Sequence, residues 1–173
     1  MGIRNYLIEG VSGTGKTTVA EELQRRGYHV IHGDRELSYR GHPETGEPLN
    51  EQVHESVTDS IAWQHKHWIW SVDKVKLLVA DRSCANTFFC GGARNSHRFI
   101  DLFDAVFVLT VDPGTLNRRL AARPEDEFGG KPSERELIRR LHATKEDIPK
   151  SGVVIDATAP VERVVDEILA KCR

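Results

Sequence analysis

The chain has 173 residues, 39% hydrophobic and 29% charged, which suits one domain with a full core. Its formal net charge of -2 argues against a broad nucleic-acid or acidic-membrane surface, and no apolar run approaches the roughly 18 residues of a bilayer span. Cys84, Cys90 and Cys172 are an odd, sparse set that suits a reducing compartment, and the N-terminus has no signal-peptide layout, so a cytoplasmic single domain is expected.

In chain order, Tyr6-Leu7-Ile8 reads as the end of a buried strand. Gly10-Val11-Ser12-Gly13-Thr14-Gly15-Lys16-Thr17 then fits the phosphate-wrapping pattern G-x-x-x-x-G-K-[ST]. Glycines let the backbone press against a phosphate, and successive N–H groups with the following helix N-terminus make an anion nest. Lys16 supplies charge to the phosphates, and the Thr17 hydroxyl is placed for Mg²⁺. Val19, Ala20 and Leu23 recur at helical spacing. Gly27 stops that helix, Tyr28–His32 is a second strand, and Gly33-Asp34-Arg35 ends it. Ser38–Asn50, with two glycines and two prolines, reads as a loop.

Glu51–Trp70 reads as a helix with Val53, Val57, Ile61 and Trp68 inward. Val75–Ala80 is expected to be the third strand, with Asp81 at its carboxyl end, followed by a Phe-, Cys- and Gly-rich segment from Thr87 to Ala93 and a helical stretch near Ser96–Leu102. Ala105–Val111 is the clearest buried strand. Asp112-Pro113 opens a helix to about Ala122 as N-cap and first turn. Pro124–Lys131 is polar and expected to be mobile, and Ser133-x-x-Glu136 is a capping box starting the next helix. Val153–Ile155 is the last strand, and Pro160 begins a terminal helix. Five strands alternating with helices predict an α/β domain with a parallel sheet covered on both faces. Ligands of such sheets lie at the carboxyl ends of the strands, where Gly10, Asp34, Asp81 and Asp112 are expected.

Asp81 after a hydrophobic strand has the Walker B arrangement and is the expected second Mg²⁺ ligand beside Thr17. Asp112 is better explained as a helix cap. Asp34 is the candidate base or orienting carboxylate for an acceptor hydroxyl. Arg118, Arg119 and Arg123 precede the glycine-containing loop, and Arg119 and Arg123 share a helix face, so either could meet charge developing on a γ-phosphate. Asp126-x-x-Gly129 and Thr144-Lys145-Glu146-Asp147 approximate GTPase motifs but follow no hydrophobic strand and lie too close together; both read as chance. His65 and His67 are two apart and diverge on a helix, so they read as solvated or packed. The cysteines lack zinc spacing, and Trp63, Trp68 and Trp70 read mainly as core, with one of them open to face a substrate.

Over nearly its full length the chain resembles the small P-loop kinases: nucleoside and nucleotide kinases, shikimate kinase, gluconate kinase and the chloramphenicol phosphotransferase group. Gly10–Thr17 matches their phosphate loop, Gly33-Asp34 their acidic acceptor position, and Arg119–Arg123 their arginine-bearing helix entering the lid. Asp156–Pro160 resembles their adenine-contacting loop, which implies Ala157 and Pro160 at the nucleotide. Asp81-Arg82-Ser83 resembles the acid-Arg motif of deoxynucleoside and thymidylate kinases. Cys90-Gly91-Gly92 sits loosely where shikimate kinases place a substrate loop.

The resemblance implies a three-layer α/β/α P-loop NTPase fold with a short lid at about 123–132 and an acceptor region at about 35–70. ATP and Mg²⁺ are the implied cofactors, and a small-molecule acceptor is the implied partner. Gly10, Ser12, Gly13, Thr14, Gly15, Lys16, Thr17, Thr18 and Arg119 are then expected at the nucleotide. Asp34, Arg35, Arg40, Arg82 and Arg94 are expected at the acceptor, whose anion or hydroxyls they could equally clamp. A nucleoside or nucleotide is the favoured acceptor. A polyol, shikimate-like or antibiotic acceptor, and a non-catalytic ATP-binding regulatory protein, are the alternatives.

Overall fold

A computed structural model of the chain describes residues 3–49 and 61–172. In chain order the strands are β1 (Arg4–Gly10), β2 (His29–His32), β3 (Ser38–Arg40), β4 (Trp68–Trp70), β5 (Asn86–Cys90), β6 (Ala105–Thr110) and β7 (Val153–Asp156). The helices are α1 (Lys16–Arg25), the single turn α2 (Gly33–Glu36), α3 (Ile61–Lys66), α4 (Val72–Ala80), α5 (Pro113–Ala121), α6 (Pro132–Thr144) and α7 (Val161–Lys171).

Five strands make one parallel sheet in the order β2-β5-β1-β6-β7, and β3 and β4 form a separate antiparallel pair. Alternation along each strand divides the core in two. Tyr6 and Ile8 of β1 join Phe88, Phe107 and Leu109 beneath α1, α5, α6 and α7. Leu7 joins Ile31 and Phe89 against Trp70, Val75 and Phe99 on the other face. The expected parallel sheet with both faces covered is therefore present, and it brings the carboxyl ends of β1, β2 and β5 together along one edge.

The third strand is not Val75–Ala80. That stretch lies in α4, whose N-cap Ser71 accepts the Lys74 N–H, and the strand is Asn86–Cys90. A short apolar run is equally compatible with either element. Here the spacing of four that links buried Val75 to partly buried Val79 points both to the core, while Leu77 is 73% exposed. Phe88 and Phe89 instead bury on opposite faces, with Phe88 stacked on Tyr6 at 5.1 Å and Phe89 edge-on to Phe103 at 5.0 Å.

Other differences are smaller. Ser38–Arg40 is a strand within the expected loop, because it finds Trp68–Trp70 as a partner thirty residues later. The expected helix to Trp70 ends at Lys66, and its part at 51–60 lies outside the described residues. Ser96–Leu102 is two 3₁₀ turns. Asp112 caps α5 as expected, accepting the Thr115 N–H at 2.8 Å. Helix α6 begins one residue earlier than Ser133, with Glu134, rather than Glu136, reaching back to the Lys131 N–H.

Candidate functional site

The phosphate loop runs from the last residue of β1 to the first of α1. Gly15 is its N-cap at φ 99°, a left-handed conformation that a side chain would strain. Thr14 braces the turn through its N–H and its hydroxyl, both donating to the Val11 carbonyl, at 3.2 and 2.7 Å. The Lys16 ammonium donates to the Gly10 and Val11 carbonyls. Burial lowers its pKa, and the nearby Asp34 carboxylate opposes that shift. Gly10, Ser12, Gly13, Thr14, Gly15, Lys16, Thr17 and Thr18 all line one cleft of about 970 Å³.

Asp34 enters the same cleft from α2, at the end of β2. Its position is set by the floor beneath it. Gly33 and Gly91 lie against the fully buried Trp70 ring, where a Cβ on Gly91 would come within 2.8 Å of the indole and 2.9 Å of Asp34 Oδ1. The Gly92 N–H donates to Asp34 Oδ1 at 3.3 Å. Trp70 is held in turn by Asn95, buried and bonded to both backbone groups of Trp70 at 3.0 and 2.9 Å. Thus the strand β4 and the loop after β5 together place the carboxylate opposite the P-loop lysine.

On the other side, Arg119 donates to the Gly13 carbonyl at 3.3 Å and the Ala157 carbonyl at 3.0 Å, joining the phosphate loop to the loop after β7. Arg123 donates to Ser12 Oγ at 2.9 Å and to the Phe128 carbonyl. The lid is pinned further by Glu134, which accepts the Gly129 N–H at 3.0 Å, and by Arg135, which donates to the Gly129 carbonyl. Arg119, Arg123, Ala157 and Pro160 all line the cleft. Lid residues Glu127 and Phe128 line it too, so the segment expected to be mobile is tied to the site.

Arg40 and Arg94 also reach the cleft, but Arg94 is in a charged cluster absent from the sequence reading. Arg94 Nη1 donates to Asp147 Oδ2 at 2.6 Å, and Nη2 lies 3.9 Å from Glu9 Oε1. Glu9, only 1% exposed, accepts the Ala93 N–H at 3.3 Å. His65 Nε2 meets both members of that pair, the Arg94 guanidinium and Asp147 Oδ2, and is 2.9 Å from the latter. Burial pushes Glu9 up to about 7, against the pull of Arg94. Burial also lowers His65, while Asp147 opposes. For Asp147 burial acts upward, but the His65 hydrogen bond and the Arg94 charge outweigh it and hold the carboxyl below its ordinary value. Asp147 belongs to the Thr144–Asp147 segment read as chance; it is no guanine-reading motif, yet its carboxylate is at the site. The one signal for Glu9 was an acid directly after the apolar run Tyr6-Leu7-Ile8 and before the phosphate loop.

Three expected residues fall elsewhere. Asp81 is the C-cap of α4 and precedes β5, whose first residue pairs with Arg4 at the amino edge of β1. At about 3.3 Å per residue, seven-residue β1 sets that edge roughly 20 Å from the phosphate loop. Asp81 instead accepts the Ser83 N–H at 2.8 Å, so it lies away from this cleft, as does neighbouring Arg82, which is exposed. Arg35 is exposed on α2 outside the cleft lining. The carboxyl end of β5 carries Cys90, whose thiol burial pushes well up, instead of an acid. Among the described residues no cluster of His, Cys, Asp and Glu could hold a metal by itself. Thr17 offers a hydroxyl oxygen in the cleft, which fits Mg²⁺ shared with phosphates, since that ion takes few protein oxygens and keeps waters.

Comparison with known proteins agrees with this architecture. The AAA domain family model matches residues 7–152. No curated protein matches. Among solved structures, a sugar kinase from Janibacter sp. HTCC2649 is 21% identical, with 97% of this chain and 93% of that chain covered and a TM-score of 0.58. A shikimate kinase from Bacteroides thetaiotaomicron is 15% identical over 96% and 97%, at 0.60. A deoxyadenosine kinase from M. mycoides is 17% identical over 96% and 98%, at 0.51. At these identities the likeness is one of fold, the fold that the sequence resemblance implied. With its phosphate loop inside a match that spans most of its length, the chain belongs to the AAA domain family.

Proposed function

We propose that this protein is an ATP-dependent small-molecule kinase that transfers the γ-phosphoryl group to a hydroxyl. The observation that carries the reading is the placement of Asp34 across one cleft from the phosphate loop, close enough to Lys16 to act on its titration. The fold likeness to a sugar kinase, a shikimate kinase and a deoxyadenosine kinase supports it. A carboxylate at that position suits a hydroxyl acceptor, whose proton it accepts and whose oxygen it aligns. A phosphate acceptor there would meet like charge, so a nucleoside fits better than a nucleotide.

In this reading the phosphate-loop N–H groups and Lys16 bind the ATP phosphates, with Thr17 the residue that would hold Mg²⁺ together with phosphate oxygens and waters. When bound, Mg²⁺ supplies charge neutralisation at the phosphates. Lys16 leaves the Gly10 and Val11 carbonyls for the phosphates. Asp34, oriented by the Gly92 N–H, takes the acceptor proton. Arg119 and Arg123 stand on the phosphate side and offer charge to the transferring group. Lid residues Glu127 and Phe128 shield that group from water.

The test is ATP consumption with Mg²⁺ over a panel of nucleosides, sugars and polyols, sugar acids, shikimate and antibiotic alcohols. Lys16→Ala is expected to abolish turnover, and Asp34→Asn to lower it by at least about 100-fold while ATP binding persists. Full activity in Lys16→Ala would sink the reading. ATP binding without turnover of any acceptor would favour a regulatory nucleotide switch instead.

A further inference from the structure

Resting on the kinase reading, we infer that the acceptor is an electrically neutral alcohol: a polyol, sugar or nucleoside, and not a sugar acid, shikimate-like acid or nucleotide. The inference comes from what Arg94 does. A guanidinium at the mouth of an acceptor cleft invites a carboxylate or phosphate. This one is already paired with a carboxylate of the protein. It is 11% exposed, bonded to Asp147 at 2.6 Å and drawn to Glu9 at 3.9 Å, and both carboxylates are over nine-tenths buried. An acceptor anion taking that guanidinium would compete with Asp147 for its charge and weaken the pairing of a buried carboxylate, a costly exchange.

The rest of that half of the cleft offers no surplus positive charge among the described residues. Arg40 lines the same cleft as Asp34, so the two guanidinium groups there are matched by the carboxylates of Asp34 and Asp147. Residues 50–60 add no Lys or Arg to the chain. What the cleft does offer suits a neutral ring bearing hydroxyls. Gln64 brings an amide, and Trp68, directly opposite Arg40 in the β3–β4 register and 37% exposed, presents an indole. An aromatic face packs against sugar or base rings, and an amide both donates to and accepts from hydroxyls. Asp147 is therefore a positioning residue. It holds Arg94 in place and cancels its charge, so that anions gain nothing from it.

Matched pairs test this. Turnover is measured with ATP-Mg²⁺ for nucleosides against their 5′-monophosphates and for alditols against the corresponding aldonates. The neutral member of the productive pair is expected to have at least a tenfold higher kcat/KM; equal or better turnover of the anionic member would overturn the inference. Asp147→Asn, which uncovers Arg94, is expected to shrink that ratio at least tenfold, mainly by lowering KM for the anionic member. Asp147→Glu should restore it. A merely structural Asp147 would reduce both members alike and leave the ratio unchanged, which would also overturn the inference. If Asp147→Asn does not fold, Glu9→Gln, which keeps an acceptor for the Ala93 N–H, should shift the ratio the same way above pH 7, where Glu9 is ionised. Failure of the kinase reading looks different: ATP still bound, but no member of any pair consumed, and the inference falls with it.

Discussion

Glu9 is held 1% exposed one residue before the phosphate loop, within reach of the fields of Arg94, Lys16 and Asp147. Its folded-state pKa is raised from 4.5 to about 7, so the native state prefers the protonated form. The sign follows from linkage. Below about 4.5 the group is protonated in both states and costs nothing. As pH rises to about 7 the unfolded chain ionises first, and the native state loses roughly 3 kcal/mol, a loss that is complete above that pH. Glu9→Gln has no such titration. Relative to the parent protein it should therefore gain urea-unfolding stability between pH 5 and 8, and a difference that stays flat with pH would contradict this account. Gly91 sets a second constraint at this scale. Its φ is 150°, and an added Cβ would meet Trp70 and Asp34 at once. Gly91→Ala is expected to cost about 1–3 kcal/mol of stability and to lower kcat by moving Asp34. A variant with unchanged thermal midpoint and rate would show that the contact is relieved elsewhere.

The element that most alters the reading of the chain is α4. Helix and strand predict opposite burial along Val75–Ala80: a strand buries alternate residues, whereas the helix buries Val75 and exposes Leu77. Val75→Ala should then cost about 2 kcal/mol, from two methyl groups removed from a fully buried site. Leu77→Ala should change stability by under about 0.5 kcal/mol. Equal losses from the two substitutions, read by urea midpoints, would return this stretch to a strand. The same correction removes Asp81 from the cleft, because the residue after a helix on the far edge of the sheet shares no surface with the phosphate loop.

Across the whole molecule, one cleft joins distant segments. The phosphate loop, α5 through Arg119 and Arg123, the lid and the loop after β7 contact one another around one cleft. A ligand that binds only this native arrangement at 100 times its Kd stabilises it by about 2.7 kcal/mol. For a chain of this length that is a rise of roughly 5–10 °C in Tm. Lys16→Ala should lose most of that rise, and Asp34→Asn should keep it. Equal shifts in the two variants would show that their roles are not divided between donor and acceptor.

The phosphate loop, β1, β2, β6 and β7, the Asp112 cap and the placement of Asp34 were legible in the sequence, because each rests on neighbours along the chain. Glycines, a capping acid and alternating apolar residues act over a turn or a strand, and their physics is local. The sequence also implied a parallel sheet with its ligand edge at the strand ends. Only the tertiary structure decided that Val75–Ala80 is a helix, since a short apolar run takes its conformation from the surface it packs on. It alone paired Ser38–Arg40 with Trp68–Trp70, and it alone brought Glu9, His65, Arg94 and Asp147 together from four separate segments. Those charges lie far apart along the chain, and their pairing follows from burial at one site rather than from any local pattern.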